Sequence, residues 1–189
     1  ALFWLCLLIC MPAALANQRW EALADPAFQH ISSEQGLPHG MVSSMVQDQA
    51  GFLWIATGNG LARWDGYRIH TYKPQINDPT SMSDIVVQAL HIDPAGRMWI
   101  GTSSGGLLRY EPEHDNFTRF TNTGADASHP LINGISDDGS GGLWLAPNRG
   151  LHHLDAGGQK ITPVPRNESL YGDLPYGFIR KVLRTREGS

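Results

Sequence analysis

The chain has 189 residues, 41% apolar, 17% charged and 9% aromatic, with 21 glycines and 12 prolines. These proportions fit an ordinary globular protein and exclude disordered, collagenous and disulfide-stapled classes. Fourteen Lys and Arg against eighteen Asp and Glu leave a formal charge of −4, and the basic residues are scattered, which excludes the footprint of a nucleic-acid binder and a polybasic membrane patch.

Residues 1–16 carry no charged side chain and read as a secretory signal. The apolar run from Leu2 to Ile9 is too short to cross a bilayer, and Ala14-Leu15-Ala16 offers the small residues a signal peptidase needs. Cleavage is expected after Ala16, which places the mature chain outside the cytoplasm. A lipoprotein reading through Leu7-Leu8-Ile9-Cys10 stands beside it, although Ile9 is bulky where that processing uses a small residue. Both cysteines, Cys6 and Cys10, lie in this segment, so the mature chain is expected to have no disulfide, thiolate nucleophile or zinc–thiolate site. The missing Met and cationic n-region predict a few residues ahead of Ala1.

A lead-in over 17–27 precedes a domain expected over 28–189. Its first element, Phe28-Gln29-His30-Ile31 followed by Gly36-Leu37-Pro38, resembles the outer strand and exit loop of a repeat without the strands that should come before it. It is expected to complete the last unit of a closed ring.

A repeat then sets the organisation: Trp54, Trp99 and Trp144 stand 45 residues apart. Asp48-Gln49-Ala50-Gly51, Asp93-Pro94-Ala95-Gly96 and Asp138-Gly139-Ser140-Gly141 precede them in register, each predicted as a type I turn. Each Trp lies in a short run of consecutive apolar residues (Phe52 to Ala56, Met98 to Gly101, Leu143 to Ala146), the pattern of a strand buried on both faces. A second turn follows at Asn59-Gly60, Ser104-Gly105 and Arg149-Gly150, with Asn59-Gly60 predicted as type I′ and Gly106 as an extra, bulged residue. The chain returns as Leu61 to Asp65, Leu107 to Glu111 and Leu151 to Asp155. An aliphatic strand ahead of each turn (Val42 to Gln47, Val86 to Ile92, Ile132 to Ser136) and a more polar one behind it (Tyr67 to Tyr72, Phe117 to Phe120, Ile161 to Val164) complete four antiparallel strands. Whole-unit repetition at this period predicts an all-β fold, a β-propeller of four-stranded blades, rather than a β-sandwich. Ile179 to Leu183 reads as the first strand of a further blade. Three blades and a quarter fall short of the roughly four to eight of a closed ring, so the sequence reads as the N-terminal part of a longer protein.

The unit Val42-x-x-Met45-x-x-Asp48-x-x-Gly51-x-Leu53-Trp54-Ile55-Ala56-Thr57, its copy ending Met98-Trp99-Ile100-Gly101-Thr102, and the trailing segments Gly60 to Asp65 and Gly106 to Glu111 closely resemble the two-component regulator propeller repeat. The third copy departs at Pro147, where Thr is usual, and at His152-His153. The resemblance implies an extracytoplasmic sensor of a bacterial inner-membrane receptor. Its expected output module is a histidine kinase, often hybrid, or a GGDEF-type diguanylate cyclase, beyond a transmembrane helix. It also implies a small-molecule ligand, by analogy a saccharide, closure of the ring by the rest of the chain, and a receptor dimer.

The repeat residues Asp48, Gly51, Trp54, Asp93, Gly96, Trp99, Asp138, Gly141 and Trp144 read as structural. Ligand contacts are expected from residues that vary between repeats on loops at one rim: His39, Asn59, Asp84, Ser103, His129, Asn148, Arg149 and Tyr176. No catalytic residue, metal site or cofactor is expected. No nucleophile elbow or phosphate-cradling loop occurs. His152 and His153 point to opposite faces of a strand, as do Asp137 and Asp138, and His91 with Asp93 supplies two ligands without a third. Two formal glycosylation sequons, at Asn116 and Asn167, carry no weight in a bacterium. The alternatives are an exported propeller enzyme of lyase or glycosidase type and a propeller interaction scaffold.

Overall fold

A computed structural model describes residues 30–120, 131–148, 150–164 and 179–184. After a 3-10 turn at Ser33–Gln35, the chain forms twelve described strands in three sheets. They are β1 Val42–Gln47, β2 Leu53–Thr57, β3 Gly60–Trp64 and β4 Ile69–Tyr72, then β5 Val87–Ile92, β6 Met98–Thr102, β7 Leu107–Glu111 and β8 Asn116–Phe120, and last β9 Ile132–Asp137, β10 Leu143–Pro147, β11 His152–Leu154 and β12 Ile161–Pro163. Each sheet is four-stranded, antiparallel and ordered as the chain runs. The fold is therefore all-β, with three successive propeller blades.

The apolar runs around each Trp become β2, β6 and β10, and their opposite faces serve different joints. Trp54 and Ala56 pack with Leu90, Ile100 and Leu108 between the first and second blades. Trp99 packs with Ile135, Leu143, Leu145 and Leu154 between the second and third. Ile55 and Ala62 turn the other way, against Leu37. Trp54 and Trp99 are 0% and 1% exposed, and loss of such a buried aromatic costs about 3–5 kcal/mol. Trp144 is only half-buried, because its face of β10 meets no described sheet.

The repeated Asp does more than turn the chain. Asp48 accepts the Trp54 indole Nε1–H at 2.7 Å and Asp93 that of Trp99 at 2.9 Å. Across the hairpin, Arg63 and Arg109 lie over these indoles, 5.4 and 5.8 Å from the ring centroids. In the third blade His153 occupies that cross-strand position. Its Nε2 pairs with Asp138 Oδ2 at 2.7 Å and its ring lies 4.6 Å from that of Trp144.

Several turns differ from the sequence expectation. The Asp48 and Asp93 turns close with Gly51 N–H and Gly96 N–H donating to the Asp carbonyls at 3.0 and 2.8 Å. The third is not type I, since Gly139, at its second position, has φ +80° where type I requires a negative value. The loop after β2 is Gly58-Asn59, because Thr57 pairs with Gly60. Neither loop residue has a positive φ, so it is not the type I′ turn expected at Asn59-Gly60. Gly60, at φ +124°, instead starts β3, where a Cβ would come within 2.8 Å of the Tyr72 carbonyl. Gly106 is its counterpart, not an inserted residue: Thr57 Oγ1 donates to Gly60 O at 2.7 Å and Thr102 Oγ1 to Gly106 O at 2.9 Å. The extra residue of the second blade lies within Ser103–Gly105.

At the ends, residues 30–32 form no strand, and Phe28 and Gln29 lie outside the described residues. Residues 179–184 also form no strand, yet they run along β9. Ile179 O accepts from Asn133 Nδ2 at 3.3 Å, and Arg184 pairs with Asp137 at 3.2 Å. This is where a further blade's first strand would lie. Among the described residues no helix is long and apolar enough to cross a membrane.

Candidate ligand-binding cup

The first strand of every blade carries a bulge at the same place. Pairing steps from Val42–Thr57 to Ser44–Ala56, from Val87–Thr102 to Ala89–Gly101, and from Ile132–Pro147 to Gly134–Ala146. The unpaired residues are Ser43, Gln88 and Asn133, which are 45 residues apart, all polar, and second in their strands. A bulge adds one residue to its strand and re-aims the side chain. Here it brings all three onto the wall of one cavity.

That cavity has a volume of about 790 Å³ and is lined by Ser43, Gln88, Ser103, Leu131, Asn133 and Arg180, within the size range of small-molecule sites. It opens at the end of the sheets that carries the β2–β3 and β6–β7 loops. The Asp and Trp pairs lie at the other end, so the motif that builds the blades is remote from the cup. Ser43 Oγ donates to Val87 O at 2.7 Å, binding the first bulge to the neighbouring blade. Gln88 Nε2 donates to Ser103 Oγ at 2.8 Å.

Of the rim residues expected from sequence that are described, Ser103 alone lines this cavity. Asp84 buttresses its loop, accepting from Ser104 N–H at 2.6 Å and Ser104 Oγ at 2.8 Å. Burial opposes its charge, but these bonds and one from Val86 N–H hold its carboxyl below the usual range. His39 Nδ1 accepts from Met41 N–H at 3.0 Å, and Asn59 Nδ2 donates to Pro38 O at 3.1 Å, so both side chains brace the first blade's rim. Asn148 Oδ1 is buried without a hydrogen-bond partner among the described residues. His129, Arg149 and Tyr176 lie outside the described residues. Ser43, Gln88, Asn133 and Arg180 were not expected. For Ser43, Gln88 and Asn133 the signal in the sequence was a polar residue recurring every 45 positions at the second place of each blade's first strand, while Arg180, 47 residues after Asn133, falls outside that interval.

His91 Nε2 is also buried without a hydrogen-bond partner among the described residues, and burial lowers its pKa against the pull of Asp137 and Asp93. No group of three or more His, Cys, Asp or Glu able to hold a metal occurs among the described residues.

The two-component regulator propeller family matches residues 36–59 and 81–104. No curated protein matches the chain. Among solved structures, the chain resembles the extracellular domain of BT3049 of B. thetaiotaomicron, assigned to a hybrid two-component system. Identity is 31% and TM-score 0.68, over 79% of this chain and 21% of that one. The extracellular domain of BT4673 from the same organism matches at 21% identity and TM-score 0.64, over 82% and 20%. Virginiamycin B lyase of Staphylococcus aureus matches at 17% identity and TM-score 0.51, over 69% and 44%, a likeness of fold alone. The chain spans about a fifth of the two extracellular domains. With Asp, Gly and Trp set in one geometry in the first two blades and both matched stretches falling on that unit, these two repeats belong to the two-component regulator propeller family.

Proposed function

We propose that this chain is part of the ligand-sensing region of a bacterial transmembrane receptor, outside the cytoplasmic membrane, and that its cup takes up a small polar molecule. The observation that carries this reading is the 31% identity to the extracellular domain of a hybrid two-component system. The bulged strands supply the chemistry, since a cavity with a few convergent polar groups on rigid strands is how a scaffold fixes a small ligand. Residues 1–16 act as the export signal in this reading. Ligand occupancy alters how the blades meet, and a transmembrane helix passes the change to a histidine kinase or a diguanylate cyclase.

The test is to read the natural frame beyond Ser189 and fractionate the cell. Further Trp repeats, an apolar stretch of about 20 residues, an output module and membrane association are expected. A reading frame that closes one ring without such a stretch, or a protein confined to the cytoplasm, overturns the proposal.

A further inference from the structure

The cup is built from amides, hydroxyls and one cation. Among its described lining residues there is no carboxylate and no aromatic ring, and its single charge is the Arg180 guanidinium. Its remaining hydrogen-bonding capacity is specific. Gln88 gives one amide proton to Ser103 Oγ, and Asn133 gives one to Ile179 O. Each amide thus keeps a second N–H and a carbonyl oxygen with no partner among the described residues, and the Ser103 hydroxyl proton is likewise uncommitted. Arg180 has no hydrogen-bond or ion-pair partner among them either.

Paired donor and acceptor groups from successive blades suit vicinal hydroxyls, each of which both donates and accepts. A planar guanidinium suits a carboxylate, which it grips with two parallel hydrogen bonds. Resting on the sensor reading above, we propose that the cup binds a small polyhydroxylated carboxylate. Arg180 takes the acid group, and the bulged residues Gln88 and Asn133, with Ser103, read the hydroxyls. A neutral polyol uses the amides and leaves the guanidinium unpaired. An inorganic anion uses the guanidinium and leaves the amides unread.

The experiment is calorimetric titration of the full natural chain with acids matched to neutral compounds of the same skeleton: glucuronate with glucose, and gluconate with sorbitol. At least one acid is expected to bind ten-fold or more tightly than its neutral partner. Arg180→Gln is expected to erase that preference. Gln88→Glu, whose carboxylate accepts the Ser103 hydroxyl proton and adds a negative charge, is expected to weaken the acid more than ten-fold and to a greater extent than the neutral compound, with unchanged tryptophan fluorescence reporting an intact fold. Equal binding of acid and neutral, an acid preference that survives Arg180→Gln, or no binding of any of the four overturns the proposal. A receptor that responds to a neutral ligand, with the response lost in Gln88→Ala, overturns the acid assignment and keeps the sensor reading. Acid binding by a protein with no membrane-spanning output overturns the sensor reading and keeps the assignment.

Discussion

Val42 and Val87 hold the same position in successive blades, yet Val42 is 41% exposed and Val87 is 1% exposed. The difference repeats three residues on, where Met45 is 59% exposed while its counterparts Leu90 and Ile135 are 7% and 8%. In the second and third blades these side chains are covered by the preceding blade, and in the first no described sheet covers them. This face of β1 is thus shaped to receive another blade.

The 189-residue chain produced alone is therefore expected to self-associate through this face and its unpaired strand edges. Replacing both Val42 and Met45 with Lys should reduce the association measurably in sedimentation velocity. A monodisperse wild-type monomer that melts cooperatively would sink the idea.

Asp93 ties a turn to a core. Besides the Trp99 indole it accepts from Arg97 Nε at 2.6 Å and from the Ala95 and Arg97 N–H groups at 3.0 and 2.9 Å. Burial opposes its charge, but the Trp99 and Arg97 bonds prevail and hold its pKa below the ordinary value. A depressed folded-state pKa means stability that is complete above the unfolded value of about 3.9 and is lost as pH falls through the folded one. Asp93→Asn in the natural protein should cost roughly 1–3 kcal/mol at pH 7, and the deficit should shrink below pH 4. Urea titrations at pH 7, 5 and 3 check this, and a deficit that grows toward acid contradicts it.

The frame of the fold was legible because it rests on local chemistry that recurs. Asp with Gly three residues later turns the chain, consecutive apolar residues bury both faces of a strand, and the fixed interval sets the blade. The cup was not legible from the same features, because Ser43, Gln88 and Asn133 owe their direction to a bulge, and a bulge is a register event between two strands. Loop residues chosen for variability fared differently, since Asp84, Asn59 and His39 spend their hydrogen bonds holding the rim. The substitution of His153 for an Arg was visible as a departure at His152-His153. Its pairing with Asp138 depends on a cross-strand position that sequence alone does not give.

Asp115 joins the first two blades. One of its oxygens, Oδ1, accepts from Arg63 Nη1 at 3.0 Å, Tyr72 OH at 2.6 Å and Tyr110 OH at 2.6 Å. Burial first, and then the Asp115 bond, push the Tyr72 phenol far above its ordinary range. Asp115→Ala should cost about 1–3 kcal/mol, because it leaves buried hydroxyls without an acceptor. It should also lower the alkaline midpoint of tyrosine ionisation followed by absorbance. Asp115→Asn, whose side chain tolerates the positive φ of +51°, should recover part of the stability. An unchanged phenol titration in the Ala variant contradicts the network.

Thr102 shapes the loop that carries Ser103 into the cup. Fully buried, its hydroxyl donates to Gly106 O at 2.9 Å and accepts from Gly105 N–H at 3.0 Å. Thr57 repeats both features in the first blade, with Gly60 O and Asn59 N–H. Pro147, which stands at the corresponding place in the third, has no hydroxyl to offer. Thr102→Val keeps the volume and removes only these bonds, so it should cost roughly 1–3 kcal/mol. Because Ser103 and Gln88 share a bond across the cup, the same variant should weaken ligand capture. Thr57→Val, at a loop whose residues do not line the cup, should cost similar stability and leave capture unchanged. Comparing the two by chemical denaturation and by titration separates the loop's structural part from its role in the cup, and equal loss of binding in both variants would count against the site.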